Sequence, residues 1–247
     1  MPIKTILCAL LVSQPLMTSS ANELVLDWDS LTWSPEGQSN LSETYQLGGS
    51  DVVVIVGGNT SGLDDTGTVS PRIDDNQTGG LAPVENSLII STDYPISDLD
   101  REVTISFDFS DYTGGVSNLS FDVFDVDQSG SFVDEIMVTA LVNGEVVDPT
   151  QLTTGLANVA TGANTVQGSQ TSIPDSSDGN VGIAFAYSGI TELLITYRNV
   201  GPTNNAGFQS IGIHDISFTP VPLPGSLLLF GSSLAGLMFH RRRSLRD

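Results

Sequence analysis

The chain has 247 residues, and its 29 acidic residues outnumber eight basic ones to give a formal net charge of −21. A surface this negative repels nucleic acid and anionic lipid headgroups, which argues against both as binding partners. The single cysteine excludes an internal disulfide, so the fold must be held by burial, hydrogen bonds or metal.

Residues 1–21 have the organisation of a secretory signal peptide. Lys4 supplies the positive start, and residues 6–12 form an apolar run that is too short for a stable membrane span. Residues 19–21 are small, as a signal peptidase requires, so we place the cleavage after Ala21. The protein is therefore predicted to be exported.

Residues 22–220 keep 28 acidic and three basic residues, a formal net charge of −25. Alternating apolar residues recur in short runs, such as 104–109 and 181–187, between glycine-rich turns. The run 51–56 is continuously β-branched, which is typical of a strand buried on both faces. The pattern predicts an all-β domain, an antiparallel β-sandwich (jelly-roll-like) of roughly ten strands, plus the N-terminal signal peptide and a C-terminal hydrophobic helix.

The middle of the domain contains the clearest hairpin signal. Asn143-Gly144 lies between two β-forming runs, and both residues tolerate the positive φ angles of a type I′ turn. The preceding strand would begin near Ile136, so the acidic segment from Asp125 to Glu135 is predicted to be a loop joining two strands.

This acidic loop is a candidate calcium site, because Ca²⁺ takes about six to eight oxygen ligands and the loop offers closely spaced oxygens around a glycine. The candidate ligands are Asp125, Asp127, Ser129, Ser131, Asp134 and Glu135. The similarity to an EF-hand ends where Ile136 replaces the last glutamate, and the flanks are strands. A solvated turn without metal is the alternative interpretation.

Two further segments carry structural predictions. Residues 149–180 are rich in Thr, Gly, Asn and Ser, so they form either a mobile loop or a weak edge strand around 165–167. Apolar residues change face between Ile213 and Ile216, which predicts a β-bulge near His214-Asp215.

The sequence contains no recognised catalytic motif. Residues 22–220 have a single histidine, His214, and neither Cys nor Lys, so most nucleophile–base pairs are unavailable. A pair of carboxylates could still act on a glycosidic bond. Four aromatic residues could stack on sugars, although core or rim positions are the alternative: Trp28, Trp33, Tyr94 and Tyr112.

Residues 221–247 consist of a proline-bounded turn, an apolar run and a basic cluster. The turn consists of Val221, Pro222, Leu223 and Pro224. No charged residue occurs in 223–239, which suits a short membrane-spanning helix. The cluster that would hold the chain end on the cytoplasmic side contains Arg241, Arg242, Arg243 and Arg246. The membrane would thus be contacted only through this tail.

These three parts in this order resemble the PEP-CTERM sorting signal of Gram-negative bacteria, with Leu223 in place of the usual glutamate. The resemblance implies recognition and cleavage by an exosortase-like enzyme, and a place in the cell envelope or the extracellular exopolysaccharide matrix. A plain single-pass anchor is the alternative, with the same topology.

Two functions of different classes remain open. One is a non-enzymatic, calcium-stabilised β-sandwich with a structural or glycan-binding role at the cell surface or in the matrix. The other is an extracellular polysaccharide-acting enzyme that uses a carboxylate pair. A groove with two carboxylates beside an exposed tryptophan would favour the enzyme, and a convex, evenly acidic surface would favour the structural protein.

Overall fold

The computed structural model describes residues 22–65, 69–94, 102–130, 132–201 and 207–222. The predicted signal peptide and the predicted tail helix lie outside these ranges, as do Ser131, Leu223, Pro224 and the arginine cluster. Within these ranges no helix is long and apolar enough to cross a membrane. The domain described below belongs to the compact unit Ala21–Val221.

The described residues form β-strands and three short 3-10 turns, without an α-helix. The sixteen strands are β1 (Leu24–Leu26), β2 (Ser42–Leu47), β3 (Ser50–Gly58), β4 (Arg72–Asp74), β5 (Ser87–Tyr94), β6 (Val103–Asp108), β7 (Val116–Phe124), β8 (Gln128–Ser129), β9 (Phe132–Val142), β10 (Glu145–Val147), β11 (Gln151–Thr154), β12 (Asn158–Ala160), β13 (Thr165–Gly168), β14 (Val181–Asn199), β15 (Gly207–Ile213) and β16 (Ile216–Pro220). The strand pairs are antiparallel, as predicted.

The long strand β14 connects two layers of one curled sheet. Its first half, residues 181–190, pairs with β7 and β11, and its second half, residues 190–199, pairs with β9 and β6. Irregular register between Phe185 and Ile190 marks the bend. The first layer also contains β1, β4, β5, β15 and β16, and the second layer contains β2, β3, β12 and β13. The two layers that a sandwich requires are thus halves of one continuous sheet.

One hydrophobic core fills the space between the layers. Trp28, which follows β1, packs against Phe107 of β6 with ring centroids 6.5 Å apart. Phe109 and Phe218 meet similarly at 5.0 Å. Each of these four side chains is buried, and burying one large apolar side chain contributes about 1.5–3 kcal/mol. The apolar residues that alternate in the sequence therefore form a buried core that contains no disulfide.

Two local predictions are confirmed. Asn143 and Gly144 have φ angles of 53° and 82°, as a type I′ turn requires, and they join β9 to β10. Ile213 and Ile216 are both buried on either side of a two-residue break between β15 and β16, so the predicted change of face occurs there.

Other expectations need correction or completion. The described residues contain sixteen strands where roughly ten were predicted, because several edge strands have only two to four residues. Residues 149–180 hold three short strands, β11 to β13. A strand was predicted around 165–167, and β13 is there, but it pairs with β12 on one side and β9 on the other, so it is not the edge strand that was expected. The strand at 51–56 is not buried on both faces: Ile55 is 43% exposed, since the outer side of β3 is uncovered.

Candidate functional site

A groove of about 470 Å³ lies on the outer face of the first layer, opposite the core. One row of cross-strand neighbours runs across it from β1 to β11, through Val25, Ser217, Ser120, Ala184 and Gln151. These residues alternate along their strands with core residues, so their side chains point outward. The three central members are small, and the sheet itself therefore forms the floor.

A second row contributes polar groups to the same groove. It runs from Asp122 through Gly182 to Thr153. A Cβ atom on Gly182 would lie 2.5 Å from Thr153 Oγ1 and 3.1 Å from Asp122 Oδ1. The carboxyl and the hydroxyl thus occupy the space that a side chain would need, and both face the groove.

His214 and Asp215 extend the groove toward Glu85. The backbone N–H of His214 donates to the carbonyl of Asp122 at 2.9 Å, and its Nε2 lies 2.9 Å from Glu85 Oε2. Asp215 Oδ1 accepts from the Trp28 backbone N–H at 2.9 Å. Donor atoms of Glu85, His214 and Asp215 all lie within 4.8 Å of one another. In the described part of the chain, these three residues form the group of histidine and carboxylate side chains that lie close enough together to hold a metal ion.

The groove carboxyls are easier to protonate than ordinary surface carboxyls. Loss of solvent raises the pKa of Asp122, and the neighbouring His214 partly offsets this rise. Burial likewise raises the pKa of Asp215, against the hydrogen bond from Trp28 and the charge of His214. Carboxyl oxygens accept hydrogen bonds from the hydroxyl groups of a ligand.

The aromatic residues considered for sugar stacking do not line this groove. Trp28 is completely buried, and Trp33 and Tyr112 are 3% and 6% exposed. The Tyr112 hydroxyl donates to the carbonyl of Leu47 at 2.8 Å. The Tyr94 side chain lies outside the described atoms. The three described aromatics therefore support the core. A second depression of similar volume adjoins Trp33 and is also lined by Glu36 and Asn86.

The predicted calcium loop separates its residues into different environments. Asp125 leaves β7 with a φ of 61°, and its Oδ1 atom is buried. Burial raises the pKa of Asp125 to about 7, and the charges of Asp127 and Asp175 add to the rise, whereas the amide of Gln77 lowers it.

Asp127 and Asp134 are buried and already hydrogen-bonded. Asp127 Oδ2 accepts from the Ser172 backbone N–H at 2.6 Å. Asp134 accepts from the Tyr197 hydroxyl at 2.8 Å and from the Asp127 N–H at 3.3 Å. Burial raises the pKa of Asp134 well above its usual range.

Glu135 forms an ion pair with Arg198 and a hydrogen bond with Gln167, so its charge is balanced within the fold. Ser129 is half-buried in β8, and Ser131 lies outside the described residues. The structure places Asp125, Asp127 and Asp134 near enough for their charges to interact. Calcium binding by the six predicted ligands together stays a prediction.

Sequence reasoning missed the groove. The outward position of Ser120 and Asp122 followed from alternation, but their pairing with β14, which in turn pairs with β11, involves residues distant in the chain. The sequence predicted a β-bulge near His214-Asp215, whereas Glu85 had no sequence signal. The contacts between strands that make the groove concave are tertiary.

Comparison with known proteins identifies the tail. Residues 220–243 match the PEP-CTERM protein-sorting motif, which confirms the resemblance seen in the sequence. The chain therefore carries a bacterial sorting signal and is an exported, envelope-sorted protein. No curated protein matches the chain.

Two solved structures are similar to it at low TM-scores. One is a non-crystalline cellulose specific carbohydrate-binding module, CBM28, at 13% identity and a TM-score of 0.30, covering 61% of this chain and 77% of that one. The other is a mannan-recognising carbohydrate-binding module, TmCBM27, at 13% identity and a TM-score of 0.29, covering 82% of this chain and 98% of that one. Such scores do not establish a shared topology, so we transfer no ligand from either.

Proposed function

We propose that this exported protein binds a glycan in the groove of the first layer and does not catalyse a reaction. The observation that carries the proposal is the pair of strand rows whose small central residues leave an open, polar floor. Hydroxyl, amide and carboxyl groups on that floor match the hydrogen-bonding capacity of sugar hydroxyls.

The negative charge of the domain favours neutral glycans over acidic ones. The groove region holds Asp122, Asp215 and Glu85, with His214 as the neighbouring basic group. Residues 22–220 carry a formal net charge of −25, so an acidic polysaccharide would approach against repulsion. A neutral, hydroxyl-rich polysaccharide is therefore the proposed ligand class.

The enzyme alternative has one observation in its favour. Asp122 and Asp215 both line the groove, and both have raised pKa values. Carboxylate-pair hydrolysis needs one carboxyl that is protonated and one that is ionised. The exposed tryptophan that would accompany such a pair is not found here, because Trp28 and Trp33 are buried. Glycan binding without hydrolysis is the preferred interpretation, because it does not require an exposed tryptophan beside the carboxyl pair.

The sorting motif supports a proposal about where the protein acts. We propose that an exosortase-like enzyme removes the tail 221–247, and that the domain then resides in the envelope or exopolysaccharide matrix of a Gram-negative bacterium. A neutral matrix polysaccharide would be available to the groove in that location.

Affinity electrophoresis of the full-length chain tests the proposal. Gels containing neutral polysaccharides should retard the protein, whereas gels containing uronic-acid polysaccharides should not, because like charges repel. Reducing ends measured after incubation with the retarding polysaccharide should not increase. An increase would establish the enzyme instead, and equal migration in every gel would contradict glycan binding.

A further inference from the structure

The pairing of β5 with β15 brings three metal-binding side chains to one place. Leu88 pairs with Ile213, so the residues just before Leu88 and just after Ile213 emerge side by side. Glu85 lies on the first of these segments, and His214 and Asp215 lie on the second. The topology of the sheet therefore places one imidazole and two carboxylates together beside the groove.

The donor atoms of these three side chains converge closely enough for a single ion. His214 Nε2 lies 2.9 Å from Glu85 Oε2, and one donor atom from each of the three side chains lies within 4.8 Å of the other two. Zinc binds imidazole nitrogen and carboxylate oxygen at about 2.0–2.2 Å, so two ligands of a tetrahedral zinc ion lie roughly 3–3.5 Å apart. Small rotations of these side chains would bring all three donor atoms onto one ion.

Two of the three ligands are already oriented by their neighbours. The Asp215 carboxylate accepts the Trp28 backbone N–H at 2.9 Å, which uses one of its about four lone-pair positions. The His214 imidazole packs on the buried Phe124 ring, with the ring centroids 5.0 Å apart. The His214 backbone N–H donates to the Asp122 carbonyl at 2.9 Å. Such contacts hold metal ligands in position before the ion binds, which lowers the entropic cost of binding.

The charge of the cluster also favours a cation. With a neutral imidazole the three side chains carry two negative charges, and a protonated imidazole still leaves one. Burial raises the pKa of Asp215, and the charges of Asp27 and Glu85 add to the rise. Arg72 and Arg198 form ion pairs with carboxylates elsewhere in the sheet. A bound divalent ion would turn the repulsion within the cluster into attraction.

We propose that Glu85, His214 and Asp215 bind a Zn²⁺ ion, with water completing the coordination. The imidazole selects the metal, because Ca²⁺ and Mg²⁺ take oxygen ligands, whereas Zn²⁺ takes histidine together with carboxylates. The ion replaces the direct contact between His214 and Glu85, and it ties the segment before β5 to the break between β15 and β16. Zinc binding at this site needs no glycan, so the proposal stands independently of the proposed function.

Isothermal calorimetry of the EDTA-treated and dialysed full-length chain with zinc chloride tests the site. We expect one ion to bind, with an affinity at least about 100-fold higher than that for calcium chloride, because calcium disfavours a nitrogen ligand. Glu85→Gln and Asp215→Asn each remove one charge at nearly constant volume, and His214→Phe keeps a ring without nitrogen. Each variant should bind zinc about tenfold or more weakly, which corresponds to roughly 1.4 kcal/mol or more.

Four variants serve as matched controls. Glu145→Gln and Asp178→Asn alter exposed carboxylates of β10 and of the segment between β13 and β14. His240→Gln and Cys8→Ser alter the other histidine and the single cysteine of the chain, which are side chains of the types that bind zinc. All four should keep zinc affinity within about twofold, which corresponds to roughly 0.4 kcal/mol.

Glu85→Gln is the variant least able to disturb the fold. The Glu85 side chain is 36% exposed and lies outside the strands, so its neutralisation should leave the circular dichroism spectrum unchanged. Zinc binding by this variant therefore decides the outcome even if His214→Phe or Asp215→Asn does not fold.

Several results would overturn the site. One is no zinc binding by the folded, unmodified chain up to about 1 mM. Another is undiminished zinc affinity in folded Glu85→Gln. A loss in His240→Gln or Cys8→Ser as large as that in His214→Phe would place the ion outside the domain. Calcium binding as tight as zinc binding would show only a general attraction of cations to the acidic surface.

Discussion

At the scale of single residues, Asp134 is the most deeply buried carboxyl in the described part of the chain. It is 1% exposed and accepts a hydrogen bond from the Tyr197 hydroxyl. Burial raises its pKa well above the usual value of 3.8. Between the unfolded and the raised folded pKa, the folded chain therefore binds a proton at Asp134 that the unfolded chain releases. Because unfolding releases the proton, stability falls as pH rises above the unfolded value toward the raised folded value.

We expect the melting temperature in EDTA to be higher at about pH 5 than at about pH 8, and Asp134→Asn to flatten this dependence. Burial raises the pKa of Asp127 as well, so the slope should shrink without vanishing. Asp178→Asn, at an exposed site, should keep the slope of the unmodified chain. A slope unchanged in Asp134→Asn would show that Asp134 is ionised in the folded state.

The acidic loop also shows what spacing alone can predict. The sequence correctly placed Asp125 at the end of a strand, and its positive φ explains why β7 stops there. It could not show that Glu135 meets Arg198, or that Asp134 accepts a hydrogen bond from Tyr197, because both contacts join distant parts of the chain. A search for local motifs does not detect contacts of this kind.

At the scale of elements, the β9–β10 hairpin depends on its turn residues. Gly144 has a φ of 82°, and a Cβ there would have no heavy atom within 4 Å. Replacing Gly144 with Val should therefore cost about 1 kcal/mol through backbone strain alone, which thermal or urea unfolding would measure.

Gly130→Val is the matched control for this hairpin. Gly130 has equally open surroundings and no positive φ, so the substitution should change stability by less than about 0.5 kcal/mol. Equal stability of Gly144→Val and the unmodified chain would contradict the role of the turn.

The strands differ in how strongly the local sequence predicts them. The alternation in β6 and β14 and the Asn-Gly turn are local, so they were predictable. The short strands β11 and β12 were not, because most of their residues are exposed and the strands are held by pairing with β14 and β13. The exposure of Ile55 depends on what covers β3, which is again a tertiary matter.

At the scale of the whole molecule, the sorting motif predicts the fate of the tail. The PEP-CTERM match covers residues 220–243, and the arginine cluster follows the apolar run. We expect the protein recovered from envelope or medium of the native host to lack residues after about the proline-bounded turn. Intact mass spectrometry measures this directly. Full-length tail in every fraction would indicate a plain anchor.

The groove is the feature on which the proposed function depends most. Ala184 is one of the three small central residues of the row, and its side chain points outward, so a phenylalanine there would fill the floor and leave the core untouched. Ala160→Phe provides the matched control, because Ala160 is exposed on β12, which belongs to the second layer.

Binding of these two full-length variants to the neutral polysaccharide that retards the unmodified chain is the most direct measurement. We expect Ala184→Phe to lose affinity for the polysaccharide by about tenfold or more, roughly 1.4 kcal/mol. Ala160→Phe should bind as the unmodified chain does. Undiminished binding by folded Ala184→Phe would contradict the assignment of the groove as the glycan site.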